Sequence, residues 1–328
     1  MIIKKKKNGN VTIYIVGKDY DDTKLINVLN TKINPNQIKY IIDNDADVYT
    51  ADGELLLKFR KQKLNKKHIN DFYDNVIDFA CIKTNNRGSA TGSTNKNNWD
   101  NQQVMTNIIG FFDRLSPRQK FILKQQGKTL KTNVRQCRFN MDYPEKYKKI
   151  LPLIKQIDLY YKQYIPNNYK AQKKKAEQTH FKIEGTSFTT ITTNVNFQTT
   201  VHTDKGDDED GFGNLSVIEH GKYKGGETCF PQYGIGVDVR SGDILFMNVH
   251  EPHGNLPLVL ETKDAKRLSI VCYLRRGIWE KTKGKTKQFM ITQNNIIKNA
   301  RKTNKPNNTN KLKINKPNKT KKNKYNYL

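Results

Sequence analysis

The hydrophobic pattern changes period along the chain. After a basic tip, Val11 to Val16 read as a short strand and Thr23 to Leu29 as a short helix. Asp52-Gly53 reads as a turn between Asp47–Thr50 and Leu55–Phe59, because an Asp-Gly pair suits a tight hairpin. Ile69, Phe72, Tyr73, Val76, Ile77 and Ala80 recur every three or four residues and predict a helix with one apolar stripe. A second amphipathic helix is predicted over Lys146 to Tyr164, with Ile150, Leu151, Ile154, Ile157 and Tyr161 on one side. Tyr169 to Glu177, rich in Lys, reads as a basic break. From Thr186 onward short β-rich runs take over: 188–197, 215–219, 227–230, 235–239, 244–249 and 268–274. Gly, Asp and Pro separate them. Regular short strands with such turns predict a β-sandwich or barrel.

Composition adds a tail to this picture. Only 35% of the 328 residues are apolar, which is low for a chain wholly inside one core. The net charge is +28, and the last 48 residues hold 15 of the 59 Lys and Arg with no acid. Such a Lys- and Asn-rich segment buries too little surface to offset its ordering entropy, so disorder is predicted from about residue 290. It serves either as a polycationic arm that holds nucleic acid through counterion release or as a mere product of A/T-rich codons. The four Cys, at 81, 137, 229 and 272, contain no Cys-x-x-Cys pair and argue against a zinc knuckle or a disulfide framework. No apolar run is long enough to cross a membrane, and the first residues lack a signal-peptide core. A soluble, intracellular, reduced protein with no membrane partner is expected; its protein partners and oligomeric state are not legible.

The chemistry lies in the β-rich half. His202-Thr203-Asp204 puts two ligand side chains two residues apart, on one face of an extended strand. His253 follows the strand after Gly242-Asp243 and supplies a third ligand, with His250 as its competitor. Two His and a carboxylate form the facial triad of non-haem Fe(II) oxygenases. Arg267-Leu268-Ser269 opens the last run, where a guanidinium can hold the distal carboxylate of 2-oxoglutarate in a two-bonded fork. Arg275 and Arg276 are alternative anchors. His68, His180 and His220 carry no spacing signal. The loop at 84–103 contains Arg87 beside small residues and could approach a phosphate. The acidic loop Lys205 to Gly211 reads as a solvated, mobile lid. Tyr233, Phe212 and Trp279 are candidates to stack a base by their chemistry alone.

These residues carry a family likeness. The stretches 188–197, 200–207, 225–231 and 242–255 resemble the TET/JBP family of 2-oxoglutarate/Fe(II)-dependent dioxygenases, nearest to the thymine hydroxylase domain of base J-binding proteins. The likeness is specific over 186–276 and looser from about 45; the Asn-Arg-Gly element at 86–88 also matches. It implies an α+β fold: a double-stranded β-helix (jelly roll) core flanked by N-terminal helices, ahead of a disordered basic tail. The corresponding domains are 1–44, an N-terminal extension; 45–280, the dioxygenase domain; and 281–328, the tail. It further implies hydroxylation of the 5-methyl group of thymine or 5-methylcytosine in DNA, with Fe(II), 2-oxoglutarate and O2, and ascorbate as a supporting reductant. His202, Asp204 and His253 would bind iron and Arg267 the cosubstrate, with Ser269 and Asn194 beside it. The Cys-rich region of TET proteins and the base-J recognition domain have no counterpart here. The triad alone leaves open the same chemistry on a protein side chain or RNA base, or a non-catalytic nucleic-acid-binding jelly roll.

Overall fold

The computed structural model describes residues 1–85, 87–92 and 103–303. Strands β1 (Ile2–Asn8) and β2 (Val11–Val16) form an antiparallel hairpin, and α1 (Asp22–Val28) is capped by the Asp21 side chain. Next come β3 (Tyr40–Ile42), β4 (Ala46–Thr50) and β5 (Leu55–Arg60), the last two joined by the expected turn with Gly53 at φ +89°. Asn65 caps α2 (Lys66–Ala80), whose buried Ile69, Phe72, Val76 and Ala80 are the stripe read from the sequence. Then β6 (Thr106–Phe112), α3 (Pro117–Gln125), β7 (Arg135–Gln136), α4 (Arg138–Asp142), α5 (Pro144–Tyr164) and α6 (Pro166–Ala176) lead to the β-rich half. That half contains β8 (Thr190–Val195), β9 (Gly213–His220), β10 (Tyr223–Gly225), β11 (Thr228–Phe230) and β12 (Ile235–Val237). It continues with β13 (Ile244–Met247), β14 (Gly254–Asn255), β15 (Leu258–Leu260) and β16 (Lys266–Tyr273), and α7 (Arg276–Thr282) and α8 (Lys287–Thr303) close the described chain.

The result is a mixed α/β fold around one large sheet, in the order β1-β2-β4-β5-β13-β9-β16-β8-β6-β7. A smaller sheet, β14-β11-β12-β3, draws its last strand from the N-terminal 44 residues. Strand alternation sorts the side chains of the large sheet. Ile191, Val195, Phe246, Leu268 and Ile270 pack against apolar residues of α2 and α5. Leu215, Val217, Leu245 and Met247 face the other way and pack against Phe230, Ile235 and Val237 of the small sheet. Helices therefore cover one face and a second sheet the other, and polar side chains on that second face line the site.

Two expectations need correction. The basic stretch 169–177 is not a break: Pro166 opens α6, Gln172 and Ala176 are buried, and the Lys side chains lie around them. Lys, Gln and Ala are good helix formers, so charge masked a helix that propensity favours. Disorder from residue 290 is also wrong as far as 303. Gln293, Ile297 and Ala300, spaced four and three apart, seat α8, with Ala300 against Ile122 and Leu123 of α3. Three small buried contacts in an Asn-rich segment gave too faint a periodic signal. The rest of the Lys/Asn-rich tail, 304–328, lies outside the described residues.

Candidate active site

His202 and His253 sit on segments that pair with each other as a single antiparallel bridge, His202 N to His253 O at 2.8 Å and the reverse at 2.9 Å. The bridge brings their ring centroids to 4.6 Å. Each ring is oriented by a backbone carbonyl: His202 Nδ1 lies 2.7 Å from Thr200 O, and His253 Nδ1 lies 2.9 Å from Glu251 O. A carbonyl only accepts, so each Nδ1 carries the proton and each Nε2 presents its lone pair. Both Nε2 atoms point at Asp204, 3.6 Å from Oδ1 and 3.8 Å from Oδ2. The ligand atoms of the three residues lie within 4.8 Å of one another, a grouping able to hold one metal ion. Burial and the neighbouring His253 push His202 down to about 4, so it is neutral and ready to ligate near pH 7. His250 points elsewhere: its Nε2 donates to Asp208 O at 3.1 Å.

Polar side chains of β8 and β16 line the site. Leu268, Ile270 and Cys272 belong to the helix-side core. Arg267, Ser269 and Tyr273 therefore fall on the opposite face, by the two-residue period of a strand. Ser269 pairs in register with Asn194, whose Nδ2 donates to Ser269 Oγ at 3.2 Å. Asn194 Oδ1 accepts from Arg87 Nη2 at 2.8 Å and from Thr106 Oγ1 at 2.9 Å. Thr192 and Tyr273 share a bond of 3.2 Å further along. Arg87 brings its charge to Asp204 and His202, and its Nε is buried without a hydrogen-bond partner among the described residues.

Arg267 is 7% exposed, yet its guanidinium forms no ion pair or side-chain hydrogen bond among the described residues. Burial pushes its pKa down, against the pull of Tyr223 and Glu227. A buried cation without an anion is costly, and a carboxylate ligand would relieve that cost. Gly226, at φ +79°, makes room for it: a Cβ there would lie 2.9 Å from Arg267 Nε. Arg275 and Arg276 are committed elsewhere. Arg275 Nε donates to Asp113 Oδ1 at 2.6 Å, and Arg276 pairs with Glu209.

The acidic loop is not a solvated lid. Asp207 and Asp208 are buried at 7% and 1% exposure. Lys175 of α6 holds Asp208 at 2.5 Å and Asp210 at 2.7 Å. The loop charge is thus met by the basic helix before it and by Arg276 after it. Burial, and Asp204 nearby, raise the Asp207 carboxyl well above the usual carboxylate range. Of the aromatic candidates, Phe212 lies in the helix-side core and Tyr233 in the intersheet core, where its hydroxyl donates to Glu251. Trp279 is partly exposed, with Lys175 and Lys283 over its ring. Thr106, Thr192, Tyr273 and Asp207 were missed by sequence reasoning. The parity of Tyr273 with Arg267 and of Thr192 with Asn194 could have signalled two of them. Among the described residues no helix is long and apolar enough to cross a membrane.

The stretch that holds these residues also matches known proteins. Residues 123–276 match the Tet_JBP family, described as the oxygenase domain of the 2OGFeDO superfamily. A bifunctional helicase and thymine dioxygenase JBP2 of Leishmania braziliensis is 31% identical over 203 residues, 62% of this chain and 17% of that protein. A thymine dioxygenase JBP1 of Trypanosoma brucei brucei is 28% identical over 256 residues, 74% of this chain and 28% of that protein. This chain thus spans less than a third of either relative. The structure of NgTET1 in complex with 5mC DNA superposes with a TM-score of 0.50 at 15% identity, covering 82% of this chain and 84% of that one, which shows a shared fold. His202, Asp204, His253 and Arg267 all lie within residues 123–276, the stretch that matches the Tet_JBP oxygenase domain.

Proposed function

We propose that the protein is an Fe(II)- and 2-oxoglutarate-dependent dioxygenase that hydroxylates the 5-methyl group of thymine or 5-methylcytosine in DNA, on a jelly-roll core. The observation that carries this reading is the convergence of His202 Nε2, His253 Nε2 and the Asp204 carboxylate on one point, together with a buried Arg267 guanidinium on β16 that is unpaired among the described residues. Two imidazoles and one carboxylate suit iron and leave neighbouring coordination positions open. The relatives matched in sequence are thymine dioxygenases by name, and the fold neighbour was solved with 5mC DNA.

Each residue has a defined task. The Thr200 and Glu251 carbonyls fix the imidazoles in the ligating tautomer. Arg267 would grip the distal carboxylate of 2-oxoglutarate through two parallel N–H bonds, replacing the anion it lacks. Ser269 and Asn194, already bonded to each other, would border that cosubstrate, and Arg87 steadies Asn194. Iron held by His202, Asp204 and His253 would, with 2-oxoglutarate and O2, supply the oxidising power to hydroxylate the methyl C–H bond. A base stacked in a duplex cannot reach the half-buried triad, so it must be turned out of the helix.

The test is mass spectrometry of nucleosides from DNA incubated with the protein, Fe(II), ascorbate and 2-oxoglutarate. Formation of a 5-hydroxymethylpyrimidine with matching succinate is expected. Succinate that appears only with RNA or a peptide would transfer the chemistry to that substrate, and none with any substrate would leave a binding protein.

A further inference from the structure

We propose that duplex DNA is gripped by its phosphates on a cationic shelf beyond Arg275, with Arg114 and Arg135 as the contacting residues. The inference rests on the DNA reading above. The shelf connects directly to the metal-binding segment. Three residues past Asp204, Asp207 pairs with Arg275 in an antiparallel bridge, and Arg276 N donates to Gly206 O at 3.0 Å. The Arg275 guanidinium lies 4.5 Å from the centre of the Phe112 ring, and Arg135 lies 5.8 Å from the same ring. Arg135 Nε donates to Arg114 O at 2.8 Å, which ties the two outer arginines together.

Charge at this shelf is unbalanced. Asp113 is buried, bonded to Arg275 at 2.6 Å and 3.8 Å from Lys281, while Arg114 follows it in the chain with Arg135 bonded to the Arg114 carbonyl. Arg114 is exposed and Arg135 partly so, and neither forms an ion pair among the described residues. A guanidinium binds a phosphate through two parallel bonds and holds its position against an aromatic ring. The shelf is also well separated from the cosubstrate anchor. Arg267 and Arg275 are eight residues apart, roughly 26 Å along an extended strand, so the two anions would not compete for one cation.

The rival surface is β1, where Lys4 to Lys7 are exposed in succession. In the sheet order β1 stands six strands from β16, roughly 29 Å away at the usual strand spacing. Lysines on an edge strand also have a simpler role, blocking the addition of another strand.

The experiment measures anisotropy of a labelled duplex across a salt series with the full chain. Arg114→Ala/Arg135→Ala should weaken binding at least tenfold at low salt and flatten the slope of log K against log salt by about 1.8, two contacts at about 0.9 each. Arg114→Lys/Arg135→Lys should keep most of the slope, and replacing Lys4 to Lys7 by Ala should leave it nearly unchanged. An unchanged slope in the folded double-Ala variant, or a loss confined to the Lys4–Lys7 variant, overturns the proposal. If the double variant fails to fold, Arg114→Ala alone, at an exposed position, should lose about 0.9. Binding slopes are read without turnover, so a wild-type protein that binds this way but yields no hydroxylated base refutes the enzymatic reading separately.

Discussion

Arg267 stands near the start of β16 and Arg275 just past its end, and their surroundings are opposite. Arg275 has a carboxylate at 2.6 Å and an aromatic ring under its guanidinium. Arg267 is at least as buried and has neither among the described residues. Folding satisfies the first cation and leaves the second waiting. A buried group left unsatisfied by its own chain marks where a ligand completes the structure, whereas a buried group with its partner in place marks architecture.

The most severe perturbation is to remove the candidate metal ligands. His202→Ala or Asp204→Ala should reduce metal binding and succinate formation below detection while circular dichroism stays unchanged. His250→Ala should keep the metal, because its Nε2 serves the Asp208 carbonyl. Metal loss in His250→Ala with retention in His253→Ala would reassign the third ligand.

Exchanging the two arginines sharpens the contrast. Arg267→Lys keeps the charge but loses the fork, and should weaken 2-oxoglutarate binding by about 1–3 kcal/mol. Arg267→Ala should weaken it further. Arg275→Ala should leave cosubstrate affinity alone and instead lower stability by up to about 3 kcal/mol, since it strands Asp113. Calorimetric titration and thermal unfolding separate the outcomes. An affinity loss in Arg275→Ala with none in Arg267→Ala would move the anchor to the other end.

Acid tests the histidine pair without mutation. His202 titrates at about 4 when folded against an ordinary 6.5. Between those values the unfolded chain binds the proton and the fold does not, so stability of the metal-free protein should fall as pH drops from 6.5 to 4. The slope from this residue is at most about 1.4 kcal/mol per pH unit. A flat profile in that window would show that His202 is not held neutral.

Lys175→Ala should cost about 1–3 kcal/mol by unpairing buried Asp208, read as a lower melting temperature. No change would mean that the acidic loop needs no latch. The smallest effect on catalysis is expected from removing residues 304–328. Turnover on a short oligonucleotide should persist, and a flatter salt slope would identify those residues as a DNA arm. A cut at 290 is unsuitable, because it would remove buried Gln293, Ile297 and Ala300.

Legibility followed the strength of the local signal. The stripe of α2 and the Asp52-Gly53 turn were readable because burial repeats at the helical period and the turn needs a particular backbone. His202, Asp204 and His253 were readable as candidates because ligand chemistry restricts residue type. α6 and α8 escaped because they are rich in Lys and Asn and only a few of their positions are buried. Asp207 escaped because an acidic run reads as solvated whether or not a Lys on another helix buries it.

The sequence alone determined the chemical inventory: three metal-type ligands, an arginine at the head of the last strand, and an excess of cations. Tertiary structure decided which of these meet. His202 faces His253 across 51 residues, Arg87 reaches Asn194 across 107, and Arg275, not Arg267, found a carboxylate. A chain encodes side-chain chemistry locally, whereas distance and burial depend on pairings between strands far apart in sequence. Those two quantities make an ordinary histidine a candidate ligand and an ordinary arginine a candidate anchor.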